Sequence, residues 1–318
     1  MKPQAYLRTF LLLGLLAVLP IISAAQRVHL VPRLRAGQTL VYRIVVGTSR
    51  NVTTQSYFVS PQIPPPAQRN FSGLLRIEVV EVNASGFRLK TYLSEPPPSS
   101  AGSTSPTQSS GPPSFDKSVD VFVAMNGSTS QTKGFIDLSP SQQFAWSDWL
   151  ASFTSQMAFP ISGLTAGQKW ESVEPENAPS PITNLSWQKK YQYVRDEPCD
   201  TSGSSTNAGA TKASPSPDIC AAILIHATLR QKSSPKDSTP RDYKLKDLKT
   251  SGTASGQNET VLYFSRSTGL LVRSSEDAQQ SMNVVIALAD GSNQVHYDLR
   301  AKSRSEIRLL PDSPQDVR

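Results

Sequence analysis

Apolar and polar residues alternate along most of the chain, and the alternating stretches come in pairs. In "GLLRIEVVEV" Leu75, Ile77 and Val79 share one face, and in "GFRLKTYL" Phe87, Leu89, Thr91 and Leu93 share another, with the turn "NASG" between them. A period of two on both sides of a short polar turn predicts an antiparallel hairpin. "SVDVFVAM" and "GFIDLS" repeat the pattern around a turn containing Asn126 and Gly127, and "MNVVIALA" and "VHYDLRA" repeat it around "DGSN". There Asp290 and Gly291 suit the positive φ angles of a tight hairpin turn. "LSWQKKYQYV" and "CAAILIHATL" make a fourth pair, and strands are also expected in "GQTLVYRIVVG", "GQKWESV", "ETVLYFS" and "GLLVRSS". The pattern predicts a mainly β chain: a large antiparallel curved sheet, as a sandwich or half-barrel.

One segment breaks the period. In "SPSQQFAWSDWLASFTSQMAF" (139–159) Ser139 is a good N-cap, Pro140 suits the first helical position, and Gln142 completes a capping box. Trp146, Leu150, Phe153 and Met157 then fall at helical spacing, and Trp149 widens their stripe. An amphipathic helix is expected over about 139–158, ending before Pro160. Two of the four tryptophans lie here, with Phe144 and Phe159, so the stripe must be covered by something. Either it packs on the sheet as core, or Phe144, Trp146, Trp149, Leu150, Phe153 and Met157 form a lid over an apolar ligand.

Three stretches, 95–118, 200–218 and 231–242, are dominated by Ser, Thr, Pro, Gly and charged residues. They cannot bury enough apolar surface to offset the entropy of ordering, so disordered insertions are expected there, with a flexible tail over 311–318. The remainder, 26–310, reads as one β-rich domain. Two similar modules, about 26–138 and 160–310, are an alternative organisation, because "LRAGQTL" (34–40) echoes "LTAGQKW" (164–170).

The N-terminus places Lys2 and Arg8 ahead of an apolar run from Phe10 to Ile22, followed by Ser23, Ala24 and Ala25. The run is too short to span a bilayer and reads as a signal peptide, 1–25, cleaved near Ala25. No comparable run follows, so no transmembrane segment is expected in the mature chain. In an oxidising compartment the two cysteines, Cys199 and Cys220, are expected to form a disulfide at the mouth of the 200–218 insertion. Neither lies near a histidine pair with metal-ligand spacing, so no metal is expected.

The formal charge of +7 is mild and scattered, which argues against nucleic acid as a partner. No nucleophile elbow, zincin motif or phosphate loop occurs, and neither catalytic residues nor a cofactor site are identified. Of three histidines, His296 shares the polar side of its strand with Asp298 and Arg300, while His226 and His29 have no evident partner. Arg300, Lys302 and Arg304 form a basic row on the last strand. It reads as a solvated edge face, or as a contact to anionic head groups or envelope polysaccharide. Sequons occur at Asn51, Asn70, Asn83, Asn126, Asn184 and Asn258, where Asn also serves as ordinary turn chemistry.

The stretches "LRAGQTLVYRI", "FPISGLTAGQKW" and "YFSRSTGLLVRSSEDAQQSMNVVI" together resemble an uncharacterised group of secreted bacterial β-rich proteins. The resemblance covers most of the mature chain and implies a secreted, periplasmic or envelope location, where the sequons stay unmodified. It brings no functional residues. More distantly, the pattern is similar to periplasmic lipoprotein carriers, in which helices cover a curved antiparallel sheet. The expected function is therefore a non-enzymatic structural or interaction role with an envelope protein. The alternatives are a binding module for a lipid or other apolar ligand under the helix, and a hydrolase with an unrecognised site.

Overall fold

The computed structural model describes residues 27–56, 67–94, 117–176, 180–199 and 218–311. Eleven strands form one antiparallel sheet: β1 (Thr39–Ser56), β2 (Ala67–Asn83), β3 (Gly86–Ser94), β4 (Ser118–Ala124), β5 (Thr129–Lys133), β6 (Lys169–Pro175), β7 (Leu185–Pro198), β8 (Ile219–Gln231), β9 (Leu248–Ser265), β10 (Leu271–Leu288) and β11 (Val295–Leu309). Their spatial order is β5-β4-β3-β2-β1-β11-β10-β9-β8-β7-β6. The first and last strands pair in the middle of the sheet, from Tyr42 opposite Leu309 to Ser56 opposite Val295, leaving β5 and β6 as edges.

The helix α1 (Pro140–Thr154) connects those edges and packs inside the curve. Its start follows the expected chemistry: the Gln142 backbone N–H donates to Ser139 Oγ, and the Ser139 N–H donates to Gln142 Oε1 at 2.9 Å. A 3-10 turn over Ser155–Ala158 prolongs it to Phe159, ahead of Pro160. Trp146, Trp149 and Phe153 are buried against Tyr42, Ile44, Leu75, Leu89 and Val121, and Phe87 meets Phe153 edge-on at 6.2 Å. Trp146 Nε1 donates to Thr91 Oγ1 at 2.8 Å, that hydroxyl donates to the Val119 carbonyl, and Tyr42 OH donates to the Leu271 carbonyl, whereas the buried Trp149 Nε1 has no hydrogen-bond partner. The architecture is a half-barrel with one inner helix.

The two similar turns prove equivalent in three dimensions. Gly37 and Gly167 take φ of +81° and +84°, a left-handed conformation that favours glycine. In each turn the glutamine Oε1 accepts from the N–H three residues earlier, Gln38 from Arg35 and Gln168 from Thr165. Gly37 N–H donates to the Val79 carbonyl and Val79 N–H to that of Gln38; Gly167 and Gln168 make the same two bonds with Tyr193. The frames continue in step. Leu40 faces Ile77 as Trp170 faces Tyr191; Val79 faces Leu89 as Tyr193 faces Ile223; and Leu89 faces Val121 as Ile223 faces Leu262. Both second strands bulge just beyond, at Val80 and Val194. The sheet therefore contains β1–β4 and β6–β9 as two copies of one frame, set head to tail and joined through β10 and β11.

Three expectations need correction. The partner of β4 is the polar strand β5, not "GFIDLS", whose Phe135–Asp137 form a 3-10 turn after the left-handed Gly134. In the β10–β11 turn the positive φ angles belong to Gly291 and Asn293, not Asp290; Asp290 Oδ1 instead accepts from the Ser292 N–H. Residues 231–242 are ordered rather than a disordered insertion. Thr239 Oγ1 accepts from the Thr250 N–H and donates to its carbonyl, Ser238 is buried, and α2 (Arg241–Lys244) follows. Composition missed this because backbone and hydroxyl bonds, not apolar area, hold the segment. The expected signal peptide, most of the 95–118 and 200–218 insertions, and most of the 311–318 tail lie outside the described residues.

Candidate functional site

The residues nominated as a lid sit on the inner face but do not act together. Trp149 and Phe153 are fully buried, stacked at 5.1 Å between ring centres, and Trp146 is nearly so; Phe144 and Leu150 are partly buried against the same core. The stripe is consumed in packing. Met157 alone of the six also borders open space, because the opposite flank of the helix leaves a cavity of about 520 Å³.

Ala151, Ser152, Ser155 and Met157 form the helix side of this cavity, and the β4–β5 turn at Asn126–Ser128 closes one end. Glu174 on β6, Lys189 and Tyr191 on β7, Ile225 and Ala227 on β8, Asn258, Thr260 and Leu262 on β9 and Glu276 on β10 complete it. Both ends of the sheet thus reach one cavity, which lies at the seam of the half-barrel.

The repeated frame explains why the space exists here. Counting from the matched turns and registers, Glu174 occupies the position of Ile44, Lys189 that of Leu75, Ala227 that of Leu93 and Thr260 that of Val119. In the first copy all four are buried apolar side chains under the helix. In the second they are an acid, a base, a methyl group and a hydroxyl, and all four line the cavity.

Charge inside the site is uneven. Lys189 Nζ lies 2.5 Å from Glu174 Oε2, so those two satisfy each other. Glu276 has no ion pair among the described residues; Thr260 Oγ1 donates to its Oε2 at 3.3 Å, and Asn258 also bonds it. Burial raises the Glu276 carboxyl above the ordinary glutamate range, partly offset by those bonds and by Lys189. Asp148 of α1 feels its charge. Burial, then the Glu276 charge, pushes its carboxyl up to about 7, with the Ser305 hydroxyl pulling the other way, and its Oδ2 has no hydrogen-bond partner. The pattern reading missed both carboxylates, since an acid within a polar run or on the second flank of a helix carries no periodic signal.

The disulfide expected between Cys199 and Cys220 is present, on the face away from the helix beside Tyr263 and Val272. The basic row of Arg300, Lys302 and Arg304 lies exposed on that outer face, with Arg300 Nε 3.5 Å from Asp298. His226 is 3.3 Å from Glu259 on the same face, and His296 is exposed. None of these joins the cavity. The sequons at Asn83 and Asn126 serve their own turns, each accepting from the backbone N–H two residues on. Among the described residues no cluster of three or more metal-ligating side chains occurs, and no helix is long and apolar enough to cross a membrane.

No protein-family model matches the chain, and a search of curated proteins gives no match. Among solved structures, the outer membrane protein OprG from Pseudomonas aeruginosa aligns over 89% of this chain and 100% of its own at 6% identity, with a TM-score of 0.19. Ail, the attachment invasion locus protein of Yersinia pestis, solved in complex with the heparin analogue sucrose octasulfate, aligns over 86% of this chain and 99% of its own, also at 6% identity, with a TM-score of 0.10. The outer face of this sheet differs from a lipid-facing one: exposed Glu259, Asp277, Lys302 and Arg304 sit near mid-strand, where each cationic side chain would cost about 2–4 kcal/mol at a bilayer midplane.

Proposed function

We propose that this protein works outside the cytoplasm, in a bacterial envelope or periplasm, as a non-enzymatic binding module for a small organic ligand held in the seam cavity. The carrying observation is the exchange of Ile44, Leu75, Leu93 and Val119 for Glu174, Lys189, Ala227 and Thr260 at matched positions. A fold that seals this space in one copy and leaves it open in the other has no packing reason to do so. A cavity with a few placed polar groups on an apolar wall is the usual form of a small-molecule site. The Cys199–Cys220 disulfide supports an oxidising compartment. A purely structural or partner-binding role is favoured by one fact, that the aromatic stripe of α1 is spent on the core rather than on a ligand.

Native mass spectrometry of protein purified from its own source decides between them. A small-molecule adduct on the wild type, lost in Ala151→Trp, which pushes an indole into the cavity, is the expected result. Wild-type protein free of adduct at gentle ionisation would leave the structural role standing and remove this one.

A further inference from the structure

Resting on that cavity reading, we propose that the ligand is an organic cation, an ammonium carried on a small apolar body, whose charge is met by Glu276. The cavity holds two carboxylates and one ammonium, and the ammonium is already committed, since Lys189 sits 2.5 Å from Glu174. Glu276 is left with neutral donors only, Thr260 and Asn258. Outside the cavity lining, Asp148 on the helix is a third carboxyl, whose Oδ2 is unmatched and which feels the Glu276 charge, and Ser305 from β11 adds a hydroxyl. Among the described residues, every group that interacts with Glu276 is therefore neutral or acidic, except a lysine held by another acid. An anion entering here would meet Glu276 with no free donor of positive charge, and a neutral ligand would leave a half-buried carboxylate unpaired. A cation removes that cost, because a charge in a poorly solvated site is stable only when matched. Beside the carboxylate, Ile225, Leu262 and Met157 give an apolar wall for the rest of the molecule. One methylammonium-sized head against Glu276 and a ring or short chain against that wall fit comfortably within about 520 Å³.

Three probes of one shape test this: phenethylamine, 2-phenylethanol and 3-phenylpropionate, titrated calorimetrically into the full secreted chain at pH 8. Phenethylamine is expected to bind about tenfold or more tighter than the alcohol, as a hydrogen bond to a charged group implies, and phenylpropionate not at all. Glu276→Gln should bring the amine down to the level of the alcohol while its thermal unfolding stays near that of the wild type; Ala151→Trp should abolish both. Equal binding of amine and alcohol, or an amine affinity unchanged in Glu276→Gln, overturns the cation assignment and leaves the cavity reading intact. Absence of binding by all three overturns the cation assignment as well. The cavity reading falls only if the native protein also carries no adduct, so the two failures are separable.

Discussion

The two copies of the strand frame begin with the same turn and end in opposite ways. From Gly37 onward every inward position under the helix is filled by an apolar side chain or by Thr91, whose hydroxyl is bonded on both sides. From Gly167 onward the backbone repeats but the inner surface turns polar at Glu174, Lys189 and Thr260, and the helix above offers Ser152 and Ser155 in place of tryptophan. One backbone thus serves as core and as candidate site. The difference lies in a few inward side chains, which teaches that turn and register set the frame while the facing surface sets its use.

The largest single-residue contrast should fall on the helix, which faces both copies. Phe153→Ala is expected to lose about 3–5 kcal/mol in urea unfolding, because a fully buried ring leaves a cavity that its neighbours cannot fill. Met157→Ala, on the seam side, should lose about 1 kcal/mol, since its neighbours already border open space. Similar losses at both would mean the seam is as closed as the core.

The hairpins at the outer ends differ in the same sense. The first copy closes β2 onto β3 through a short turn at Ala84 and Ser85, whereas in the second Cys199 and Cys220 are 21 positions apart in sequence. Replacing both cysteines with serine should cost about 3 kcal/mol in the loop-entropy account. An unchanged midpoint would show that β7 and β8 are held by their ladder alone.

A rise in pH should act on the cavity side of the helix. The Asp148 carboxyl, pushed up to about 7, binds its proton in the folded chain at pH values where the unfolded chain has released it. Its favourable contribution is therefore complete below about pH 4 and is lost as the pH rises through about 7. Asp148→Asn should flatten that decline and gain on the order of 2 kcal/mol over wild type at pH 8. Parallel stability profiles for the two proteins between pH 5 and 8 would count against a buried carboxyl there.

The smallest effects belong to the shared turns. A Cβ at either Gly37 or Gly167 meets nothing within 4 Å, so Gly37→Ala and Gly167→Ala should each cost about 1 kcal/mol from the positive φ alone, and should cost the same. Unequal values would separate the two turns despite their matching bonds.

Much of the fold was legible in the chain. Leu75, Ile77 and Val79 opposite Leu93, Thr91 and Leu89 are paired as their alternation requires, the capping box at Ser139 starts the helix, and the cysteines bridge. The seven-residue echo of "LRAGQTL" in "LTAGQKW" was the visible trace of the repeated frame. The rest was hidden for definite reasons. β5, with Thr129, Ser130 and Thr132 around its centre, has no apolar alternation, because an edge strand beside a turn need bury nothing. The 231–242 segment is held by hydroxyl and backbone bonds that composition does not report. The cavity was out of reach because its residues come from several separate segments of the chain, and the departure of Glu174 and Lys189 from the apolar pattern is evident only when they are laid over Ile44 and Leu75.

A reciprocal exchange, read by urea unfolding of two double variants, tests the central claim that the copies differ as core and site. Glu174→Ile with Lys189→Leu gives the second copy the residues of the first; Ile44→Glu with Leu75→Lys does the reverse. The ion pair being removed is 30% and 44% exposed at its two side chains, and replacing such a pair with apolar groups is close to neutral, so the first variant should stay within about 1 kcal/mol of wild type. The second inserts a pair that could bond in the same geometry, but into a wall with no exposure at Ile44 or Leu75, and should lose about 5 kcal/mol or fail to fold. Equal losses in the two variants would contradict the account, since they would make the seam another part of the core.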